Sequence, residues 1–303
     1  MDAALRRAVA AAVAARDGRP TEVVGERPVG GGCIHDARLV ELADGRRLFL
    51  KSDRGVPADL FEREAEGLAA LAAAGAIRVP REPLPGRAGD TLFLLMEAIP
   101  SGHPGRGFFA DFGRRFAALH RETAQAPAEG GRFGFDHDNY LGGTPQPNPW
   151  TVSWVAFYRD HRLGHQLRLA RLRGRSDAEL DRLGDRLLDR LDRWLDLPDE
   201  PACLLHGDLW RGNFLADDEG AAVLVDPAVY RGHREADLAM TRLFGGYDAD
   251  FYRAYEEEWP LPAGHPDRLP LYQLYHLLNH LNLFGGAYRG RCEEVLRRYA
   301  GVR

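Results

Sequence analysis

The chain has 303 residues, which is long enough for one large domain or two lobes that each bury a core. Hydrophobic residues make up 45% and charged residues 28%, as in ordinary soluble globular proteins. The net charge of −5 and the lack of a basic run argue against a nucleic-acid-binding protein. No stretch approaches the roughly 18 apolar residues of a membrane span. Three cysteines suit a reducing compartment, so we expect a cytoplasmic protein.

The N-terminal third shows helix and strand patterns in alternation. Residues 1–17 have the spacing of a surface helix rather than of a secretory signal. The runs "ARLVEL" and "RRLFLK" are β-type and are joined by Asp44-Gly45, a strong hairpin signal. Residues 58–74 have helical spacing, and "DTLFLLMEAIP" predicts a short buried strand that ends at Pro100.

The rest of the chain is predicted to be mostly helical. The sequence predicts a helix over 108–122, an irregular segment over 123–150 and an amphipathic helix over 176–197. Ser176 and Glu179 have the spacing of a capping box for that last helix.

Gly-rich chain at 101–107 marks a boundary between two lobes. We therefore predict an N-terminal lobe over 1–97 and a C-terminal lobe over 98–303. The fold class is α+β: a small antiparallel sheet with one main helix, followed by a larger helical lobe.

Lys51 is the single lysine among 40 basic side chains, and every other one is arginine. A lone lysine indicates a site where a compact ammonium fits and a planar guanidinium does not. The triple glycine Gly30, Gly31 and Gly32 precedes it, and such a turn lets backbone N–H groups approach phosphate oxygens. Lys51 on the third strand would then reach the α- and β-phosphates of ATP, as in the upper half of a kinase-type site.

An ammonium in that position needs an anionic partner. Glu64 on the following helix is the candidate, and Glu62 and Glu66 are the alternatives. Helical geometry places Glu62 and Glu66 on one face and Glu64 on the other, near Phe61 and toward the strands.

The stretch "LLHGDLWRGNFLADDEGAAVLVDPAV" carries the strongest pattern. Asn213 follows Asp208 by five residues, and Asp226 ends an apolar strand thirteen residues later. This is the H-x-D-x-x-x-x-N pattern of a kinase catalytic loop followed by a metal-binding aspartate. Asp208 would take the proton of an acceptor hydroxyl, and the oxygen ligands of Asn213 and Asp226 suit Mg²⁺. Only ten residues separate Asp226 from Asp237, which leaves no room for a long activation segment.

At "HGDLWRGN" the sequence resembles the fructosamine-3-kinase (ketosamine-3-kinase) family, within the aminoglycoside-phosphotransferase-like branch of the protein-kinase fold. The resemblance continues in "GGGCIHDA", "VDPAVYRGHREADLAMTRLFGG" and "LYQLYHLLNHLNLFGG" and covers nearly the whole chain. It implies phosphorylation of the 3-hydroxyl of ketosamines with ATP and Mg²⁺, after which the phosphate is eliminated and the amine is freed.

The resemblance also implies roles for single residues. Asp208 corresponds to the catalytic base, Asn213 and Asp226 to the Mg²⁺ ligands, and Lys51 with Glu64 to the phosphate pair. It implies roles for four further residues. Met96 and Glu97 would contact adenine through their backbones, and Trp210 would contact the ketosamine or have a structural role. Asp237 would support the catalytic loop, with direct chemistry as the alternative.

One cysteine and three histidines carry further predictions. Cys33 in the glycine loop is a candidate redox residue, since some family members link two chains through a cysteine there; a small residue tolerated in a turn is the alternative. His206 is predicted to be a scaffold histidine. His276 and His280 lie one helical turn apart without a third metal ligand, which indicates hydrogen-bonding residues beside the site.

Three functions remain after this reading. The first is a ketosamine 3-kinase acting on small ketosamines or glycated proteins. The second is a kinase of the same fold with an aminoglycoside, choline-like or other hydroxyl acceptor, since fold does not fix substrate. The third, a non-catalytic nucleotide-binding protein, is disfavoured by the full set of motif residues. Monomer and homodimer are both compatible with the sequence.

Overall fold

The computed structural model describes residues 1–30, 35–125 and 131–301. The chain folds into two compact units. Unit 1 comprises Met1–Phe108 and Gly212–Pro227, and unit 2 comprises Phe109–Arg211 and Ala228–Arg303. Unit 1 holds an antiparallel sheet and unit 2 is mostly helical, so the chain has the α+β class that the sequence predicted.

Unit 1 is built on a five-stranded antiparallel sheet whose strand order is β1-β2-β3-β5-β4. The strands are β1 (Val23–Pro28), β2 (Asp36–Leu42), β3 (Arg47–Arg54), β4 (Leu84–Ala88) and β5 (Thr91–Glu97), and the helices are α1 (Ala3–Asp17) and α2 (Leu60–Ala74). The buried side chains of α1 pack on β2, β3 and β5: Leu5, Val9 and Val13 with Val40, Leu50 and Leu95. Burial of these apolar groups holds α1 against the sheet.

The predicted hairpin at Asp44-Gly45 is confirmed. β2 and β3 pair from Glu41↔Arg47 to Asp36↔Ser52, and Gly45 has a left-handed φ of 84° that favours glycine. The tight turn fixes the register, and the register places Lys51 opposite Leu94 of β5 in the middle of the sheet.

The segment 212–227 belongs to unit 1 although it is distant in sequence. Its strands β9 (Phe214–Ala216) and β10 (Ala222–Leu224) form a hairpin. The Leu224 N–H donates to the Arg78 carbonyl at 2.9 Å, and the Gly102 N–H donates to the Ala216 carbonyl at 2.9 Å. These bonds place 98–108 and 212–227 in unit 1, whereas the predicted boundary assigned both to the C-terminal lobe.

Unit 2 contains the remaining elements. The helices are α3 (Phe108–Glu122), α4 (Trp154–Phe157), a π-helix (Tyr158–Leu163), α5 (Gly164–Leu172), α6 (Ala178–Leu188), α7 (Asp192–Leu195), α8 (Glu235–Leu243), α9 (Ala249–Glu258), α10 (His265–Phe284), a 3₁₀ turn (Gly286–Tyr288) and α11 (Arg289–Ala300). The short strands are β6 (Asn139–Leu141), β7 (Thr144–Gln146), β8 (Cys203–Leu205) and β11 (Tyr230–Gly232); β6 pairs with β7, and β8 pairs with β11. Across the described ranges, no helix is long and apolar enough to cross a membrane.

The prediction of one helix over 176–197 is wrong in the length of the helix and in its N-cap residue. Asp177, rather than Ser176, accepts the Leu180 N–H at 3.0 Å and caps α6. The helix ends at Leu188, and a turn separates it from α7. The apolar stripe nevertheless faces the core, and Leu180, Leu183, Leu187 and Leu191 are all fully buried.

Candidate active site

Lys51 is buried between two carboxylates of unit 1. Its Nζ lies 2.6 Å from Oε1 of Glu64 on α2 and 2.5 Å from Oδ1 of Asp226, and only 3% of the side chain is exposed. Burial alone would lower the pKa of Lys51, but the charges of Asp226 and Glu64 outweigh it and raise that pKa above its usual value. The ammonium therefore stays protonated and can bind an anion.

The two alternatives to Glu64 point elsewhere. Glu66 pairs with Arg63 at 2.7 Å, and Glu62 is exposed. The structure thus pairs Lys51 with the glutamate that helical geometry favoured, and it adds Asp226 as a second partner.

Asp226 follows β10 with a left-handed φ of 56°, which is rare for a non-glycine residue. Strained backbone of this kind costs on the order of 1–3 kcal/mol and is concentrated at functional sites. Its carboxylate is 31% exposed, so a ligand can reach it.

Asn213 and Asp226 are the predicted Mg²⁺ ligands, and hydrogen bonds join their two segments. The Asn213 side-chain nitrogen donates to the Asp226 carbonyl at 3.5 Å, so the amide oxygen is the atom that would bind a cation. Asn213 is buried, and Val225 donates its N–H to the Asn213 carbonyl at 3.1 Å, which holds the two residues together. One amide and one carboxylate oxygen suit Mg²⁺, which commonly takes its other ligands from water and phosphate. Among the residues described, no group of three or more His, Cys, Asp or Glu is placed to hold a metal.

The glycine loop lies mostly outside the described residues. Gly31, Gly32 and Cys33 fall there, so their predicted roles stay predictions. Gly30 is exposed, and a side chain at that position would meet nothing within 4 Å. No steric requirement for glycine is therefore evident at position 30.

Met96 and Glu97, the predicted adenine contacts, end β5. Met96 is buried. The Glu97 N–H donates to the Arg81 carbonyl at 3.0 Å, and the Glu97 carboxylate pairs with Arg78 at 2.7 Å and with Arg81 at 2.9 Å. The Glu97 N–H is thus already used, and only the carbonyl of that residue could accept a bond from adenine.

Asp208 lies in the catalytic loop of unit 2, directly after β8. Its backbone N–H donates to Nδ1 of His206 at 3.2 Å, and its side chain is 20% exposed. Gly207 before it has a φ of 80°, and a Cβ there would overlap the Ala228 carbonyl oxygen, so the loop requires glycine. His206 is fully buried, in agreement with a scaffold role.

Asp237 on α8 supports this loop, as predicted. Its carboxylate accepts the N–H groups of His206 at 2.7 Å and Gly207 at 2.8 Å. Nε2 of His120 lies 3.2 Å from the same carboxylate, and Nδ1 of His120 lies 2.7 Å from the hydroxyl of Tyr255. All five residues are buried. The sequence did not single out His120 or Tyr255, because neither belongs to a motif.

Trp210 is half-buried in unit 2. It packs edge-on against Phe244 with 6.0 Å between ring centroids and also contacts the core. The half that remains accessible is compatible with either predicted role. His280 contacts Phe244 at 4.8 Å, and its Nδ1 lies 2.8 Å from the His276 carbonyl, so it bonds within its helix as expected.

Three buried histidines make unit 2 sensitive to acid. Burial lowers the pKa of His120, His233 and His276, to about 3 for His276. The unfolded chain takes up these protons near pH 6.5, whereas the folded chain does not. Their contribution to stability is therefore complete above about pH 6.5 and is lost as pH falls.

We expect the free energy of unfolding to fall between about pH 7.5 and about pH 5.5, by at most about 4 kcal/mol, since a histidine that stays neutral in the folded state loses at most about 1.4 kcal/mol over this range. All five tryptophans lie in unit 2, so urea unfolding followed by tryptophan fluorescence reports on that unit. A His233→Asn variant will show a smaller difference between the two pH values. The matched change at exposed His103 will leave the difference unchanged. Equal stability at both pH values contradicts the prediction.

Relatives named as kinases, together with the fold, show that the chain is a phosphotransferase with a hydroxyl group as acceptor. The sequence family described as Fructosamine kinase matches residues 5–301, and the chain belongs to that family.

The relatives agree with this assignment. A candidate ketoamine kinase of Synechocystis sp. is 39% identical over 290 residues, which cover 95% of each chain. A chloroplastic protein-ribulosamine 3-kinase of Oryza sativa subsp. indica is 39% identical over 287 residues, covering 93% of this chain and 81% of the rice protein. The crystal structure of a candidate fructosamine-3-kinase from Haemophilus somnus superposes with a TM-score of 0.85 at 26% identity and 97% coverage of each chain.

Proposed function

We propose that this protein is an ATP- and Mg²⁺-dependent ketosamine 3-kinase. The observation that carries the proposal is the family match over residues 5–301, in a chain that retains Lys51, Asp208, Asn213 and Asp226. Relatives named as ketoamine and ribulosamine kinases support the acceptor class. A cytoplasmic location is part of the proposal.

Different residues of the chain serve the different parts of phosphoryl transfer. Lys51, kept cationic by Glu64 and Asp226, binds the α- and β-phosphates of ATP. Asn213 and Asp226 would hold Mg²⁺, which neutralises charge on the phosphate oxygens. The 3-hydroxyl oxygen of the ketosamine bonds to the γ-phosphorus as the bond from that phosphorus to the bridging oxygen breaks, and ADP leaves. Asp208 accepts the hydroxyl proton.

The product explains a repair role. A phosphate on C3 of a ketosamine is a leaving group next to the C2 carbonyl. Loss of a C1 proton and of the phosphate leaves a C=N bond to the amine nitrogen. Water hydrolyses that bond, which frees the amine and leaves a dicarbonyl sugar. We propose that the substrates are adducts of amines or of protein lysines.

Turnover of ATP with Mg²⁺ on paired acceptors tests the proposal: ribuloselysine and fructoselysine against kanamycin and choline, with Asp208→Asn as the blank. We expect turnover on at least one ketosamine and none in the blank. Turnover on kanamycin or choline alone would reject the acceptor class. ATP binding without any turnover would favour a nucleotide-binding protein.

A further inference from the structure

His276 on α10 has a buried ring nitrogen that lacks a partner. Its side chain is 5% exposed, and Nδ1 makes no hydrogen bond with any residue that the structure describes. Buried polar groups are nearly always paired, and an unpaired one costs on the order of 1–3 kcal/mol. A buried, unpaired nitrogen beside a reaction site indicates that a polar group of the substrate bonds to it.

The carboxylate of Asp208 lies close to this nitrogen. Its Oδ1 lies 3.8 Å from His276 Nδ1, which is beyond hydrogen-bond distance. Burial lowers the pKa of His276 and favours the neutral ring; His280 and Arg162 lower that pKa further, and Asp237 opposes them in part. His276 Nδ1 therefore lies beside Asp208 Oδ1 without bonding to it.

Arg162 is one of the charged groups that lower the pKa of His276 in addition to burial. This guanidinium is fully buried, lies over the rings of Tyr230 at 3.9 Å and Tyr275 at 5.6 Å, and donates to the Pro147 carbonyl at 2.7 Å. A guanidinium near His276 disfavours a second cation there.

We propose that Nδ1 of His276 binds the hydroxyl on C4 of the substrate, next to the C3 hydroxyl that Asp208 deprotonates. The proposal rests on the proposed function. Oxygens on adjacent carbons lie closer together than the 3.8 Å between the two protein atoms, so each can reach its own partner at about 2.8 Å. A hydroxyl both donates and accepts, so it pairs with either tautomer of a neutral imidazole. His276 is then a substrate-binding residue that selects for the C4 oxygen.

A two-by-two comparison tests this role, with wild type and His276→Leu each assayed on a fructosamine and on its 4-deoxy analogue. We expect His276→Leu to lower kcat/KM about tenfold to a hundredfold on the parent, mostly through KM, and to have little effect on the analogue. His276→Asn should recover most of the loss, because the asparagine amide can occupy the place of Nδ1. His265→Asn, at the first residue of the same helix, is the matched control and should behave as wild type.

Different outcomes reject the proposed function and the role of His276. Absence of ketosamine turnover in the wild type rejects the proposed function. Ketosamine turnover with an equal loss on both substrates in His276→Leu overturns the role of His276. Should His276→Leu not fold, the wild type decides alone: equal kcat/KM on the parent and the 4-deoxy analogue also overturns it.

Discussion

Replacing Asp208 with asparagine will lower kcat on a ketosamine about a thousandfold, which lies within the range for loss of a general base. The substitution keeps the size of the side chain and removes its ability to take a proton. The loop should keep its shape, because its backbone is held by Asp237, by the Gly207 turn and by the His206 ring. We therefore expect nucleotide affinity and the melting temperature to remain near their wild-type values.

Steady-state assays with ribuloselysine, together with calorimetric titration of ATP, measure the two parts of this prediction. Asp218→Asn is the matched control, since Asp218 is an exposed aspartate in the turn between β9 and β10. It should show wild-type turnover. A decrease of less than tenfold in Asp208→Asn, in a folded protein, would show that another group takes the proton.

Local patterns were sufficient to predict several parts of the structure. The Asp44-Gly45 turn fixed a hairpin, and the helical positions of Glu62, Glu64 and Glu66 selected the partner of Lys51. These predictions succeeded because the interacting residues are close in sequence and their geometry follows from one turn or one helix.

Contacts between distant segments could not be predicted in the same way. Asp226 is 175 residues from Lys51, and no local pattern indicates that the two meet. β4 contains Pro85 and Gly86, which disfavour strands, and it forms because it lies at the sheet edge and pairs with β5. His120 reaches Asp237 over 117 residues, so its place beneath the catalytic loop follows only from the packing of α3 and α8.

The exchange of Lys51 for arginine will lower kcat/KM by at least about a hundredfold, a loss typical of removing one preorganised donor to a reacting phosphate. Arginine retains the positive charge, so the loss in kcat/KM reports the effect of side-chain shape alone. Lys51 is 3% exposed, and its Nζ is already within 2.6 Å of both Glu64 and Asp226. A guanidinium is larger, and its planar fork would have to displace one of the two carboxylates to fit.

Arg47→Lys is the matched control, because it makes the reverse exchange at an exposed position of the same strand and should leave activity unchanged. Lys51→Met removes the charge and so separates its effect from that of shape. It leaves Glu64 and Asp226 without their cation. Loss of one partner from a buried ion pair costs about 3–5 kcal/mol of stability. We therefore expect Lys51→Met to melt at a lower temperature than Lys51→Arg. Wild-type kcat/KM in Lys51→Arg would mean that any cation serves at this position, and the lone lysine would then be an accident of composition.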